Sequence, residues 1–91
     1  MTRHENDTTD DRDLVRDTLD GQTEAFRGLV ERYSGLVYNV AYGMLHNSEE
    51  TSDAVQEIFY RAFRGLSGYK PQYPFGVWLR RIAVNYLLDV K

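Results

Sequence analysis

The fold is decided by residues 53–91, which read DAVQEIFYRAFRGLSGYKPQYPFGVWLRRIAVNYLLDVK. Apolar residues recur in the first part at steps of one, three or four, at Val55, Ile58, Phe59, Ala62, Phe63 and Leu66. This spacing places them on one face of an α-helix. A similar pattern starts at Phe75, after a loop over 69–74 whose two prolines exclude a continuous helix. The stretch therefore predicts two amphipathic helices joined by a loop.

The same spacing predicts two more helices upstream. Residues 14–19 mark a short helix that stops at an Asp-Gly pair, and residues 23–45 form a long helix with Thr23 as its predicted N-cap. Asn47 or Ser48 can cap the helix that follows. Because no run of strand length alternates apolar and polar residues, we predict an all-α fold. It is a compact helical bundle of three long helices plus a short N-terminal helix.

Three glycines, Gly28, Gly35 and Gly43, lie inside the long second helix. A glycine within a helix lowers stability by nearly ~1 kcal/mol relative to alanine. We therefore predict that each of the three marks a point where a neighbouring helix packs closely, since burial there would offset the loss.

Length and composition limit the class of protein. The 91 residues suffice for one domain, and the hydrophobic fraction of 42% can build a single core. Residues 1–10 are polar and acidic, so we predict a disordered leader followed by one domain over 11–91. The absence of cysteine excludes disulfides and thiolate metal sites and fits a cytoplasmic location. No apolar run is long enough to span a bilayer.

The net charge of −3 hides a gradient along the chain. Residues 47–60 carry four acidic residues and no basic one, whereas residues 61–91 carry six basic residues and one acidic residue. Such a bipolar chain indicates two different partner surfaces. The alternative is that solvated helix faces of opposite charge happen to be segregated.

The sequence lacks the residue patterns on which catalysis depends. It contains no zinc-ligand spacing, no phosphate-binding glycine loop and no nucleophile elbow. His46 ends the second helix, where a histidine commonly meets the helix dipole, and Glu49 and Glu50 suit the first turn of the next helix. We therefore predict a protein that is not an enzyme and that uses no cofactor and no metal.

The polar face of the third helix forms an acidic cluster. Asp53, Gln56 and Glu57 are spaced at i, i+3 and i+4, and Tyr60 and Arg61 lie beside them. Carboxylates and an amide in this arrangement can bind an arginine-rich partner through charge-assisted hydrogen bonds. A solvated helix face is the alternative interpretation.

The loop and the fourth helix combine cations, aromatic rings and amides. Cations bind phosphates, rings stack on unpaired bases, and amides read base edges. For Tyr69 and Tyr73, base stacking and core packing both remain open, whereas Phe75 and Trp78 lie on the apolar stripe. This combination is typical of single-stranded DNA binding, and its candidate residues are Lys70, Gln72, Tyr73, Arg80, Arg81 and Asn85.

The stretch quoted above resembles region 2 of bacterial extracytoplasmic-function sigma factors, the small alternative initiation factors of RNA polymerase. The shared pattern consists of Asp53, Gln56-Glu57, Phe59, Phe63, Phe75, Trp78-Leu79, Arg81-Ile82-Ala83 and Asn85. The segment over 20–47, DGQTEAFRGLVERYSGLVYNVAYGMLHN, resembles the opening of the same region. The likeness covers roughly residues 11–91, while the family's second DNA-binding domain, region 4, has no counterpart in these residues.

This resemblance implies a transcription initiation factor domain with two macromolecular partners. The face with Asp53, Gln56, Glu57, Tyr60 and Arg61 would dock on the clamp helices of the polymerase beta-prime subunit. The second partner would be the non-template strand of the promoter −10 element. Lys70, Gln72 and Tyr73 would line the site for a flipped base, and Arg80, Arg81 and Asn85 would touch backbone or bases.

The resemblance also implies an anti-sigma factor as a third partner. The alternative function is accordingly a helical protein-interaction module that binds an anti-sigma factor and does not read DNA.

Overall fold

The computed structural model describes residues 10–90 as four α-helices with short connections. These are α1 (Asp11–Leu19), α2 (Phe26–Leu45), α3 (Ser48–Arg64) and α4 (Phe75–Val90). Turns of 3-10 helix, Thr23–Ala25 and Leu66–Gly68, precede α2 and follow α3. No strand occurs among the described residues, so the prediction of an all-α bundle of three long helices and a short first one is confirmed. The predicted leader lies, apart from Asp10, outside the described residues.

The short helix α1 is held at its first turn. The Asp10 carboxylate caps it by accepting a hydrogen bond from the backbone N–H of Arg12 at 2.9 Å. The neighbouring Asp11 carboxylate pairs with the guanidinium of Arg32 on α2 at 2.7 Å and accepts a hydrogen bond from the hydroxyl of Tyr33. Burial and this carboxylate together raise the pKa of Tyr33 to about 12. Two α2 side chains therefore hold α1 against the bundle.

The predicted N-cap of α2 at Thr23 is wrong. Thr23 begins a 3-10 turn, and α2 starts at Phe26 after Ala25, with no side-chain cap. The backbone turn takes the place of a capping side chain, because the Ala25 N–H donates to the carbonyl of Gln22 at 2.9 Å. At its other end α2 stops at His46, which adopts a left-handed conformation with φ of 54° and donates its N–H to the Tyr42 carbonyl.

Helix α3 starts as predicted. Asn47 is its N-cap, and the Asn47 side-chain oxygen accepts a hydrogen bond from the Glu50 N–H at 2.8 Å. Glu49 and Glu50 lie in the first turn, where a negative charge complements the helix dipole. The sharp break between α2 and α3 thus comes from consecutive residues, with His46 ending one helix and Asn47 capping the next.

The core lies where the three long helices meet. Helix α2 packs against α1, α3 and α4, and α3 also packs against α4. Each long helix contributes one buried face, and the largest fully buried apolar side chains are Leu29, Val37, Ile58, Leu66, Leu79 and Leu87. Within the predicted face of α4, Trp78, Ile82 and Tyr86 are only partly buried. This packing leaves the opposite faces of α3 and α4 available for partners.

The glycines of α2 divide into two kinds. A Cβ at Gly28 would meet the Leu14 side chain of α1 at 3.0 Å, which confirms the predicted close packing. The same prediction is wrong for Gly35 and Gly43, because both are exposed and a Cβ there would have nothing within 4 Å. Among these three positions, only Gly28 in the first turn of α2 is packed so closely by a neighbouring helix that a residue without a side chain is favoured.

Replacement of Gly35 by alanine is expected to stabilise the domain by about 0.5–1 kcal/mol, because alanine favours the helix and meets no neighbour. In a domain of this size, each kcal/mol of added stability raises the melting temperature by roughly 4–8 °C. Gly28→Ala is the matched comparison, and we expect a smaller gain or a loss since Leu14 must move. Thermal unfolding followed by circular dichroism tests this, and equal shifts for the two variants would contradict the packing described.

Tyr33 gives the domain a predictable alkaline sensitivity. Its pKa in the folded state, about 12, lies above the ordinary value of 10.0. The contribution of this group to stability is therefore complete below pH 10 and is lost as the pH rises towards 12. In Tyr33→Phe, the decline in unfolding free energy over this interval should be smaller, as measured by urea titrations between pH 8 and 11.5. Parallel declines in both proteins would exclude Tyr33 as the responsible group.

Candidate protein and nucleic-acid interfaces

The predicted acidic cluster lies on the outer face of α3. Asp53, Gln56, Tyr60 and Arg61 are exposed, and Glu57 is half-buried. Tyr60 adds an aromatic ring to this polar face, and 54% of the surface of this residue is exposed. The five predicted residues therefore share one accessible helix face.

The charges within this cluster are not equivalent. The Glu57 carboxylate pairs with the Arg61 guanidinium at 3.0 Å, and that guanidinium lies 4.7 Å from the centre of the Tyr86 ring on α4. Asp53 has no ion pair among the described residues, and neither does Glu50 one turn earlier. The uncompensated negative charge of α3 is consequently concentrated in its N-terminal half.

A shallow groove runs beside this uncompensated charge and was not predicted. Its walls carry the carboxylates of Glu50 and Asp53, and the rest of its lining comes from Leu45, Ala54, Tyr86 and Val90. From the sequence, Glu50 is predicted only to favour the first turn of α3. The sequence could have indicated its second role, because Glu50 and Asp53 are three residues apart and share a helix face.

Arg64 is a further cation on α3 that was not predicted as a site residue. Its guanidinium lies 5.7 Å from the centre of the Tyr60 ring, and its Nη1 donates to the Tyr60 hydroxyl at 3.4 Å. This pairing restrains the exposed Tyr60 ring. The i, i+4 spacing of the two residues is the sequence signal for it.

The two loop tyrosines have different roles. Tyr69 is buried to 7% exposure, with its ring centre 5.3 Å from that of Phe75 and 5.2 Å from that of Trp78. Its hydroxyl donates to the backbone carbonyl of Tyr73, and burial raises the pKa of Tyr69. Tyr73 is 57% exposed. Of the two open interpretations, core packing therefore applies to Tyr69, and only Tyr73 is available for stacking.

The loop is a tight turn that presents its polar residues to solvent. The Tyr73 N–H donates to the Lys70 carbonyl at 3.0 Å, which closes a turn with Pro71 in its second position. The Pro74 carbonyl then accepts hydrogen bonds from the first turn of α4. The side chains of Lys70, Gln72 and Tyr73 are all exposed on this turn.

The three predicted residues of α4 lie on one surface. Arg80, Arg81 and Asn85 are exposed and line a shallow groove together with Val77 and Val84. None of the three makes a side-chain hydrogen bond or ion pair within the described part of the chain. Two cations and an amide therefore stand free along one groove, on the helix that follows the exposed loop.

Two further properties of residues 10–90 bear on function. They contain no group of three or more His, Cys, Asp or Glu side chains that could hold a metal ion. None of their helices has both the length and the apolar character needed to cross a membrane.

Comparison with known proteins gives consistent matches. Residues 29–90 match the family Sigma-70 region 2. The chain is 33% identical over 75 residues to the ECF RNA polymerase sigma factor SigW of Bacillus subtilis, covering 82% of this chain and 40% of that protein. It is 37% identical over 75 residues to the ECF RNA polymerase sigma-E factor of Escherichia coli, covering 82% of this chain and 39% of that protein. The chain thus spans about two fifths of the length of these relatives.

A solved structure shows the same architecture. It is the NMR structure of an engineered region 2 of sigmaE in complex with GTAAAA, and it superposes with a TM-score of 0.83 at 34% identity. The match covers 90% of this chain and 85% of the other. Together with the family match over 29–90, it shows that this chain belongs to the Sigma-70 region 2 family and is a domain of the extracytoplasmic-function sigma factor type.

Proposed function

We propose that this domain acts in transcription initiation by binding two partners at once. The outer face of α3 docks on RNA polymerase, and the loop with α4 holds the unwound non-template strand of the promoter −10 element. The observation that carries the proposal is the similar region 2 domain that was solved in complex with GTAAAA. The action consists of binding alone, without a reaction, and it takes place in the cytoplasm with the polymerase.

The docking surface consists of Asp53, Gln56, Glu57, Tyr60 and Arg61. Its partner is the pair of clamp helices in the beta-prime subunit, which supplies basic side chains. Asp53 is the carboxylate of this set without an internal ion pair, so it offers the strongest attraction to an incoming cation. Glu57 and Arg61 neutralise each other, and as an exposed i, i+4 pair they stabilise α3 by about 0.3–0.5 kcal/mol.

The strand-holding surface combines three kinds of contact. The cations Lys70, Arg80 and Arg81 bind phosphates. Tyr73 stacks on an unpaired base, a contact worth ~1–3 kcal/mol. The amides, Gln72 on the turn and Asn85 on α4, can accept and donate hydrogen bonds to base edges. These residues select an open strand over a duplex, because the bases of an open strand are neither stacked nor paired and can contact the protein.

Docking and strand capture depend on each other energetically. Opening duplex DNA disrupts stacking worth roughly 1.4 kcal/mol per step, and the few cations of this domain bind duplex DNA weakly. Attachment to polymerase supplies a high effective concentration at the promoter. A flipped base that enters the loop site then favours the open strand over the duplex.

Reversal of the charge at Asp53 should disrupt the polymerase contact. We expect Asp53→Arg to weaken binding of a beta-prime clamp-helix fragment by about tenfold or more, because an attraction becomes a repulsion. Glu57→Arg should also weaken it, since both its own charge and its pairing with Arg61 are lost. Isothermal titration calorimetry measures the dissociation constants, with Glu31→Arg on α2 as a charge-matched control. Equal affinities of wild type, Asp53→Arg and the control would contradict the proposed docking surface.

Substitutions on α4 should weaken binding to single-stranded DNA. We expect wild type to bind a labelled GTAAAA oligonucleotide more tightly than a scrambled one in fluorescence anisotropy. Arg81→Glu should reduce affinity for both by about tenfold, since it replaces a phosphate contact by repulsion, and Asn85→Ala should reduce the preference between them. Arg27→Glu on α2 is the charge-matched control.

The two experiments separate the proposal from its alternative. A domain that binds an anti-sigma factor without reading DNA would bind both oligonucleotides equally or not at all. Its partner binding would also be unaffected by Arg81→Glu. Sequence preference that depends on Asn85 would exclude this alternative.

A further inference from the structure

The outer surface of α4 carries aliphatic side chains among its polar ones. Val77 and Leu88 are 59% and 62% exposed, and Val84 is half-buried and lines the same groove as Val77. These residues lie opposite the buried face of the helix, so the core does not account for them. We refer to Val77, Val84 and Leu88 as the aliphatic stripe.

The stripe follows one line along the helix. At 100° per residue its three members fall within about 40° of one another around the axis, and they extend over roughly 16 Å. Arg80 lies to one side of this line, and Arg81 and Asn85 lie to the other. The apolar surface is therefore framed by the cations and the amide that form the proposed strand-holding surface.

This arrangement restricts the chemistry of its occupant. Single exposed aliphatic residues are common on protein surfaces, but three aligned aliphatic residues with cations beside them favour a ligand that presents anionic and apolar groups side by side. A single DNA strand does so at thymidine, where a phosphate accompanies a base with a C5-methyl group. Apolar side-chain groups, among them methyl groups, contact this thymine methyl in protein–DNA complexes.

We infer that the aliphatic stripe reads thymine methyl groups in the bound strand. This inference rests on the proposed function, and it adds a second mode of base selection to the hydrogen bonds of Asn85. The cations fix the strand by its phosphates, and the stripe then distinguishes thymine from pyrimidines without the methyl group. Val77 makes the central contribution, because it is well exposed and belongs to the same groove as both arginines.

The test compares strands that differ only in this methyl group. The 91-residue chain is titrated by fluorescence anisotropy with labelled oligothymidylate and oligodeoxyuridylate of equal length, and with GTAAAA and GUAAAA. Burial of one methyl group corresponds to about a fourfold difference in affinity, so we expect thymine strands to bind roughly two- to fourfold more tightly per contacted base.

Val77→Thr is the informative variant, because threonine keeps the shape of valine and replaces one methyl group by a hydroxyl. It should lower the ratio of thymine to uracil affinities, because one of the two methyl groups available for the contact is lost. Val90→Thr is the matched control: Val90 lies on the same helix at 50% exposure but lines the groove with Leu45 and Tyr86 instead. This control should keep the wild-type ratio, and circular dichroism checks that both variants fold.

The possible outcomes distinguish this inference from the proposed function. Equal binding of thymine and uracil strands by wild type would overturn the inference and leave strand binding intact. An unchanged ratio in Val77→Thr would also overturn it. If the wild-type chain binds none of the four strands, both proposals are overturned.

Discussion

The presentation of the strand-holding surface depends on the burial of the loop residue Tyr69 against the first turn of α4. Its ring packs against Phe75 and Trp78, and its hydroxyl bonds to the carbonyl of Tyr73, so one side chain holds the loop at both ends. A buried aromatic residue removes about 150–250 Å² of surface from water, which outweighs the weak local preferences of a proline-containing turn. Because the Tyr69 ring is directed inwards, Lys70 and Tyr73 remain outside. A buried residue thus sets the position of those that are proposed to contact the strand.

A second constraint joins the two proposed interfaces. Arg61 pairs with Glu57 along α3 and lies over the Tyr86 ring of α4. The helix proposed to meet polymerase and the helix proposed to meet DNA are therefore linked by a side chain as well as by the core between them. On the proposed function this connection matters, because promoter opening would need the strand-holding surface in a fixed orientation relative to the docking surface on α3.

The helices could be predicted from the sequence because apolar periodicity reports directly on buried faces. The errors arose where local sequence is ambiguous. Thr23 is a good cap by residue type, yet a backbone turn satisfies the N–H groups that a cap would satisfy. Gly35 resembles Gly28 in the sequence, and only the position of α1 in the fold distinguishes the two glycines. Tyr69 and Tyr73 lie in a loop without periodicity, so tertiary packing alone decides which one is exposed. The aliphatic stripe could not be predicted for a related reason. Its valines lie among arginines on the face of α4 opposite the buried residues, and the periodicity of buried positions indicates only that this face is polar.

The small number of cations on the strand-holding surface has a consequence for affinity. Lys70, Arg80 and Arg81 are the cations of the described loop and α4, and each phosphate contact adds affinity without regard to sequence. With so few, the sequence-independent part of the binding free energy is small, and base contacts form a larger share of the total. Additional lysines would strengthen binding to every strand by the same factor, so the ratio of affinities between two strands would not change. On the proposed function, docking on polymerase raises the local concentration of the domain, so strong intrinsic binding to DNA is not required. The low charge of this surface then limits binding to unrelated strands, and the acidic face of α3 would supply the affinity that this surface lacks.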